Sequence, residues 1–207
     1  MHPIQRILGL LLMLFSLTML VPVAIAWFGK DSGLQPFLIA FGTLLGAGSL
    51  LWLPARRFKR ELRLRDGFMV VVLFWFVLGI AGAVPLYLAL KPALGLADAV
   101  FESLSGLTTT GATVITHIEE LPASLLMYRQ LLQWLGGMGI IVLAVAILPM
   151  LGVGGMQLYR AETPGPMKDN KLTPRITETA KALWYIYLGL TVCCGFAYWW
   201  AGMSAFD

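Results

Sequence analysis

Long apolar stretches alternate with short polar segments along the chain, and this pattern predicts an all-α polytopic membrane protein. An apolar stretch of about twenty residues is long enough to cross a hydrocarbon core of roughly 30 Å. Five such stretches are predicted to be transmembrane helices, at residues 7–28, 34–53, 67–90, 125–155 and 182–202. The fourth contains the sequence WLGGMG, which we expect to break the helix partway.

The segment between the third and fourth stretches, residues 91–124, is amphipathic and is predicted to enter the membrane without crossing it. Asp98 can cap or charge the N-terminus of a short helix that runs to about Thr108. Such a helix is about 16 Å long, half the thickness of a bilayer. The chain must then return as non-helical backbone, which is tolerated at that depth only if protein buries it or it lines a wet cavity.

Composition and charge support this topology. Hydrophobic residues make up 58% of the chain and charged residues 13%, about half of the usual charged share in soluble domains. With the N-terminus in the cytoplasm, the basic loops 56–66 and 156–182 lie inside, together with all but three of the fifteen Lys and Arg residues. This assignment requires the segment 91–124 to return to the side that it left.

A cleavable signal peptide is an alternative interpretation of the first apolar stretch. Arg6 would supply the basic region, residues 7–21 the apolar region, and the sequence AIA at 24–26 the cleavage site. Both interpretations place the residues after 28 on the outer side of the membrane. The rest of the topology therefore does not depend on the choice.

The sequence TTTGAT, at residues 108–113, lies where the chain must return from the middle of the membrane. Gly111 can adopt a positive φ, which lets successive carbonyl oxygens face one axis. The C-terminal end of the preceding half-helix carries partial negative charge and would favour a cation there. We therefore predict an ion filter, in which carbonyl oxygens replace the water around a dehydrated cation. An ordinary structural turn is the alternative.

Three parts of the sequence, SLSGLTTTGATV, YRQLLQWLGGMGIIVLAVAILPMLGVGGMQLYRAETPGP and KLTPRITETAKALWYIY, resemble the bacterial Trk/Ktr potassium-uptake family. The resemblance is to the N-terminal part of TrkH-type members. It implies four helix–pore loop–helix repeats in one polypeptide around a single pore. Residues 1–66 would then be an N-terminal helix pair with its basic loop, 67–155 the first repeat, 156–181 a cytoplasmic linker and 182–207 the start of a second repeat.

The resemblance also implies functional roles. Carbonyl oxygens would bind K⁺ in one of four filter strands, from Thr109, Thr110, Gly111 and Ala112, with Thr108 and Thr113 flanking them. The family takes up K⁺ across the bacterial inner membrane, has no covalent cofactor and is not enzymatic. Its members form homodimers and bind a cytosolic ring of nucleotide-binding subunits similar to TrkA. One strand cannot surround an ion, so we expect the chain to be part of a longer transporter.

Other residues carry candidate chemistry. The glycines of WLGGMG, Gly136, Gly137 and Gly139, permit either close packing against the pore loop, which we favour, or a gating hinge. Glu102 is predicted to anchor the short helix by hydrogen bonds, with a negative potential near the pore as the alternative. Arg129 could pair with a nearby carboxylate or with a lipid headgroup.

The polar residues after the filter are His117, Glu119 and Glu120. Without a second histidine at helical spacing, a metal site other than K⁺ is disfavoured, and the acids are predicted to attract cations or to be solvated. Two further functions stay open, an assembly subunit without its own pore and an intramembrane enzyme. The enzyme is the weaker of the two, because the spans contain no nucleophile with a base and no paired carboxylates.

Overall fold

The computed structural model describes residues 2–56, 64–147 and 172–204, and the regular structure in these ranges is helical. The helices are α1 (His2–Thr18), α2 (Leu20–Gly29), α3 (Leu34–Ala55), α4 (Leu64–Leu90), α5 (Leu96–Leu107), α6 (Ala123–Ile147) and α7 (Leu172–Trp200), with a 3-10 turn at Ile118–Glu120. Most of both predicted basic loops and the end of the fourth predicted span lie outside the described residues.

Four helical segments in the described ranges are long and apolar enough to cross a membrane: Ile4–Gly29, Leu34–Ala55, Met69–Leu90 and Lys181–Trp200. They coincide with the first, second, third and fifth predicted spans. The fourth predicted span begins within α6, whose 25 residues make a helix of about 37 Å.

The predicted break at WLGGMG is wrong, because α6 continues through residues 134–139. A glycine in a helix costs only about 1 kcal/mol relative to alanine and keeps its N–H donor. An interruption occurs instead in the first span, where α1 ends at Thr18 and α2 begins at Leu20. Pro22 explains it, since proline has no N–H to donate to the carbonyl of Thr18, four residues earlier.

The chain forms two compact units, Met1–Gly137 and Met138–Asp207. In the first, α1 and α3 lie close together at two glycines. A Cβ on Gly9 would lie 2.8 Å from the Gly48 carbonyl oxygen, and a Cβ on Gly48 would lie 2.8 Å from the Gly9 carbonyl oxygen. In the second, none of the apolar segment Lys181–Trp200 of α7 is buried.

A buried tyrosine connects three helices of the first unit. Tyr128 of α6 packs edge-on against Phe37 of α3, with ring centroids 5.1 Å apart. Its hydroxyl donates a hydrogen bond of 2.8 Å to the carbonyl of Gly82 in α4. Both rings are fully buried, so this contact positions α6 against the membrane spans that precede it.

Candidate ion-filter segment

Helix α5 has the length expected of a half-spanning helix. Its 12 residues make about 18 Å, well short of a hydrocarbon core of roughly 30 Å. At its start, the carboxylate of Asp98 accepts a hydrogen bond of 3.3 Å from the Gly95 N–H. At its end, the hydroxyl of Thr108 donates to the carbonyl of Leu104 at 2.8 Å. α5 is therefore too short to cross a bilayer.

The filter segment, residues 108–113, follows α5 as exposed non-helical backbone. Thr109 has φ 57° and Gly111 has φ 74°, whereas Thr110 and Ala112 do not have positive φ. This alternation of sign turns neighbouring peptide units in a way that can bring their carbonyls to one side. A Cβ on Gly111 would meet nothing within 4 Å, so the backbone conformation, not crowding, requires glycine there.

Ser105 of α5 holds the filter segment with both its backbone and its side chain. Its carbonyl accepts hydrogen bonds from the N–H of Thr110 at 2.9 Å and of Gly111 at 3.5 Å. Its hydroxyl donates to the carbonyl of Ala112 at 2.6 Å. The Ala112 oxygen, one of the four predicted K⁺ ligands, is thus already bonded to α5. Ser105 was not predicted from the sequence, although it lies three residues after Glu102, on the same face of the helix.

Glu102 of α5 holds the return segment, residues 113–115. Its Oε1 accepts hydrogen bonds from the Thr113 hydroxyl at 2.5 Å, from the Val114 N–H at 2.6 Å and from the Ile115 N–H at 3.3 Å. Its Oε2 accepts from Nε and Nη2 of Arg129 at 3.3 and 3.2 Å. The side chain is only 2% exposed. Glu102 therefore anchors both the loop and α6, and Arg129 pairs with this carboxylate.

The sequence and the structure both match known proteins. The TrkH family model, described as a cation transport protein, matches residues 33–206. The chain belongs to the TrkH family. It is 62% identical to the Trk system potassium uptake protein TrkH of Vibrio parahaemolyticus serotype O3:K6, over 99% of this chain and 42% of that protein. The corresponding TrkH of Escherichia coli K12 is 59% identical over the same shares, and E. coli TrkG is 44% identical.

A solved structure matches the fold. The crystal structure of the potassium transporter TrkH from Vibrio parahaemolyticus superposes with a TM-score of 0.85 at 56% identity, covering 100% of this chain and 41% of that one. The chain thus spans about two fifths of the length of the TrkH proteins that it matches. The TrkH family and the four apolar helices together make it part of a multi-pass membrane protein.

In this TrkH-family chain, α6 approaches the end of α5 at a glycine. A Cβ on Gly136 would collide with the carbonyl of Leu107, the last residue of α5. Only a residue without a side chain permits the two backbones to lie this close, one residue before the filter segment begins. This is the contact that the packing interpretation of WLGGMG requires. The side chains of residues 140–147 in α6 are outside the described set.

The polar residues after the filter segment lie in solvent. Nδ1 of His117 is 4.0 Å from Oε1 of Glu119, and the two side chains are 70% and 78% exposed. Glu120 is also exposed. Within the described ranges, no group of three or more His, Cys, Asp or Glu side chains could hold a metal ion.

A second carboxylate, which the sequence analysis did not single out, holds the start of α6. Asp31, in the turn between α2 and α3, accepts hydrogen bonds of 2.9 Å from both the N–H and the hydroxyl of Ser124. It also accepts from the N–H of Gly33 at 2.8 Å. A Cβ on Gly33 would collide with the Ser124 hydroxyl. The N-terminal helix pair is thus joined to the helix that follows the filter segment.

Proposed function

We propose that the full-length protein takes up K⁺ across the bacterial inner membrane and that residues 108–113 supply one strand of its ion filter. The observation that carries this proposal is an exposed, non-helical segment with positive φ at Thr109 and Gly111, held from behind by a half-spanning helix. Relatives up to 64% identical are Trk system potassium uptake proteins, which supports K⁺ as the ion. The positions of the basic loops support a cytoplasmic N-terminus.

The proposed mechanism is ion permeation without covalent chemistry. Carbonyl oxygens of Thr109, Thr110, Gly111 and Ala112 would replace the hydration shell of K⁺, and they must nearly match its energy so that the ion both enters and leaves. The Ala112 oxygen, already bonded to Ser105, would offer its second lone pair. The C-terminal end of α5 adds a partial negative charge behind the ion path.

The assembly forms the second part of the proposal, and it rests on family resemblance. Residues 67–155 would form the first of four repeats that surround the pore, preceded by the helix pair 1–66 and followed by the linker 156–181 and the next repeat from 182. The transporter would be a homodimer that binds a cytosolic nucleotide-binding ring similar to TrkA. The basic loops are candidates for that contact or for anionic lipid headgroups.

The proposal is tested by Gly111→Val in the full-length protein, expressed in a host that lacks its own K⁺ uptake. A β-branched residue is strongly disfavoured at φ 74°, while the space around Gly111 is open, so the substitution alters the carbonyl directions and not the packing. We expect loss of growth at low K⁺ with a normal amount of protein in the membrane. Normal growth and normal K⁺ selectivity would refute the filter.

Gly42→Val is the matched control. Gly42 lies in α3, and a Cβ there also meets nothing within 4 Å, but its φ is not positive. It adds the same side chain in open space at an ordinary helical position, where valine is tolerated at a cost below about 1 kcal/mol. Growth with this variant should equal that with the native protein.

A further inference from the structure

The carboxylate of Glu102 contacts the chain on two sides with different oxygen atoms. Oε1 accepts from the return segment at Thr113 and Val114, and Oε2 accepts from the guanidinium of Arg129. Both oxygens belong to one planar group, so a rotation that lengthened one set of bonds would lengthen the other. Arg129 thereby fixes the direction in which Glu102 presents Oε1 to the return segment.

A small cavity lies behind the filter segment, next to the groups that form these hydrogen bonds. A cavity of about 10 Å³, room for one water molecule, lies between the filter segment, α5 and α6. It is lined by Glu102, Ser105, Gly106, Ala112, Arg129 and Gln133. Where a cavity lies, packing contacts are missing on that side. On this side, hydrogen bonds from Ser105 and Glu102 hold the filter segment and the residue that follows it.

The charge of Glu102 is poorly placed to attract an ion directly. The side chain is 2% exposed, and its Oε2 lies 3.2 Å from Nη2 of Arg129. Opposite charges at this separation largely cancel at longer range. An effect of Glu102 on ions must then come through the position of the backbone that it binds.

We infer that Glu102, oriented by Arg129, is a positioning residue that sets the ion specificity of this strand of the filter. Thr113 directly follows Ala112, so holding Thr113 and Val114 fixes where the preceding carbonyls stand. The number and placement of those oxygens decide between K⁺ and Na⁺. This inference rests on the proposed function, and it adds a specificity role for a residue pair outside the filter.

The test compares K⁺ and Na⁺ uptake by full-length variants at equal amounts of protein in the membrane. Glu102→Gln has nearly the same shape, but its NH₂ group must face donors either on Arg129 or on the return segment. We expect the ratio of K⁺ to Na⁺ uptake to fall by about tenfold, the effect of losing one hydrogen bond to a charged group. Glu119→Gln removes the same charge from an exposed side chain and should leave the ratio unchanged.

A double variant separates orientation from charge. In Glu102→Gln with Arg129→Gln, the amide of residue 102 can donate to the amide oxygen of residue 129 and turn its own oxygen toward Thr113. We expect this protein to recover part of the ratio that Glu102→Gln alone loses. Equal ratios in the single and double variants would overturn the role of Arg129.

Three results decide the inference as a whole. An unchanged ratio in Glu102→Gln overturns it, and so does an equal loss in Glu119→Gln. If the Glu102 variant does not reach the membrane, Thr113→Val replaces it as the test, because it removes only one hydroxyl from an exposed residue. A lowered ratio of K⁺ to Na⁺ uptake in Thr113→Val supports the inference, and a native ratio overturns it. In the same assay, native uptake by Gly111→Val would instead refute the filter itself.

Discussion

The carboxylates of Glu102 and Asp31 hold the helices on either side of the filter segment, and their negative charges are compensated in different ways. Glu102 is almost completely buried and pairs with the guanidinium of Arg129. Asp31 is half-buried, and its partners in the described part of the chain are the neutral donors of Ser124 and Gly33. Asp31 also faces the first turn of α6, whose dipole favours a negative charge.

The difference follows from access to water. A carboxylate that keeps part of its hydration needs only hydrogen-bond donors and a favourable helix end. A carboxylate removed from water needs an opposite charge as well, because the desolvation penalty of an unpaired ion is several kcal/mol, by order of magnitude. The pair at Glu102 should therefore tolerate loss of one partner much less well than the cap at Asp31.

The largest expected effect comes from Arg129→Leu, which leaves Glu102 buried without its cation. We expect a loss of about 3–5 kcal/mol in the free energy of unfolding. The measurement is denaturation of the purified full-length protein in detergent. Replacing Glu102 by Leu in the same protein removes the second charge and should restore most of that stability. A single variant as stable as the native protein would show that the pair is not needed.

Asp31→Ala should have a smaller effect. It removes the acceptor for two N–H groups and one hydroxyl, but all three of these donors are neutral and no unpaired charge is left behind. We expect a loss of about 1–2 kcal/mol, typical of a helix cap, in the same denaturation experiment. Ser32→Ala, at the exposed neighbouring position, is the control and should be neutral. A loss as large as that of Arg129→Leu would contradict the comparison.

Ser124→Ala should have the smallest effect of the three. It removes the hydroxyl that donates to Asp31 but keeps the backbone N–H that donates to the same carboxylate. One hydrogen bond contributes about 0.5–1.5 kcal/mol, and the loss should lie in that range. In the double variant with Asp31→Ala the two losses should not add, since both remove the same bond. Full additivity would mean that the bond does not contribute.

Local chemistry predicted much of this arrangement. The apolar stretches predicted the transmembrane helices. A backbone in lipid must satisfy its own hydrogen bonds, and about twenty apolar residues is the length that a helix needs to cross. The charge pattern required the segment 91–124 to return, and α5 is short enough for that. Gly111 has the positive φ expected of it. Glu102 forms anchoring hydrogen bonds, which was the favoured prediction for this residue. Arg129 pairs with the Glu102 carboxylate, which was one of the two alternatives for Arg129.

The parts that sequence reasoning missed depend on contacts between distant residues. Asp31 and Ser124 are 93 residues apart, and no local pattern links them. The break predicted at WLGGMG failed because close packing of Gly136 against Leu107 is compatible with an intact helix. Ser105 was missed because a serine in a helix has many ordinary roles, and only the position of Ala112 reveals this one.

In the proposed filter, the hydroxyl of Ser105 would limit how the Ala112 carbonyl oxygen can bind an ion. While it donates to Ala112, one lone pair at that level is turned toward the helix. An alanine at 105 would release that lone pair, whereas a threonine could retain the bond. The loss of one hydroxyl oxygen from a side chain outside the proposed filter would thus change how freely the Ala112 carbonyl oxygen can bind an ion.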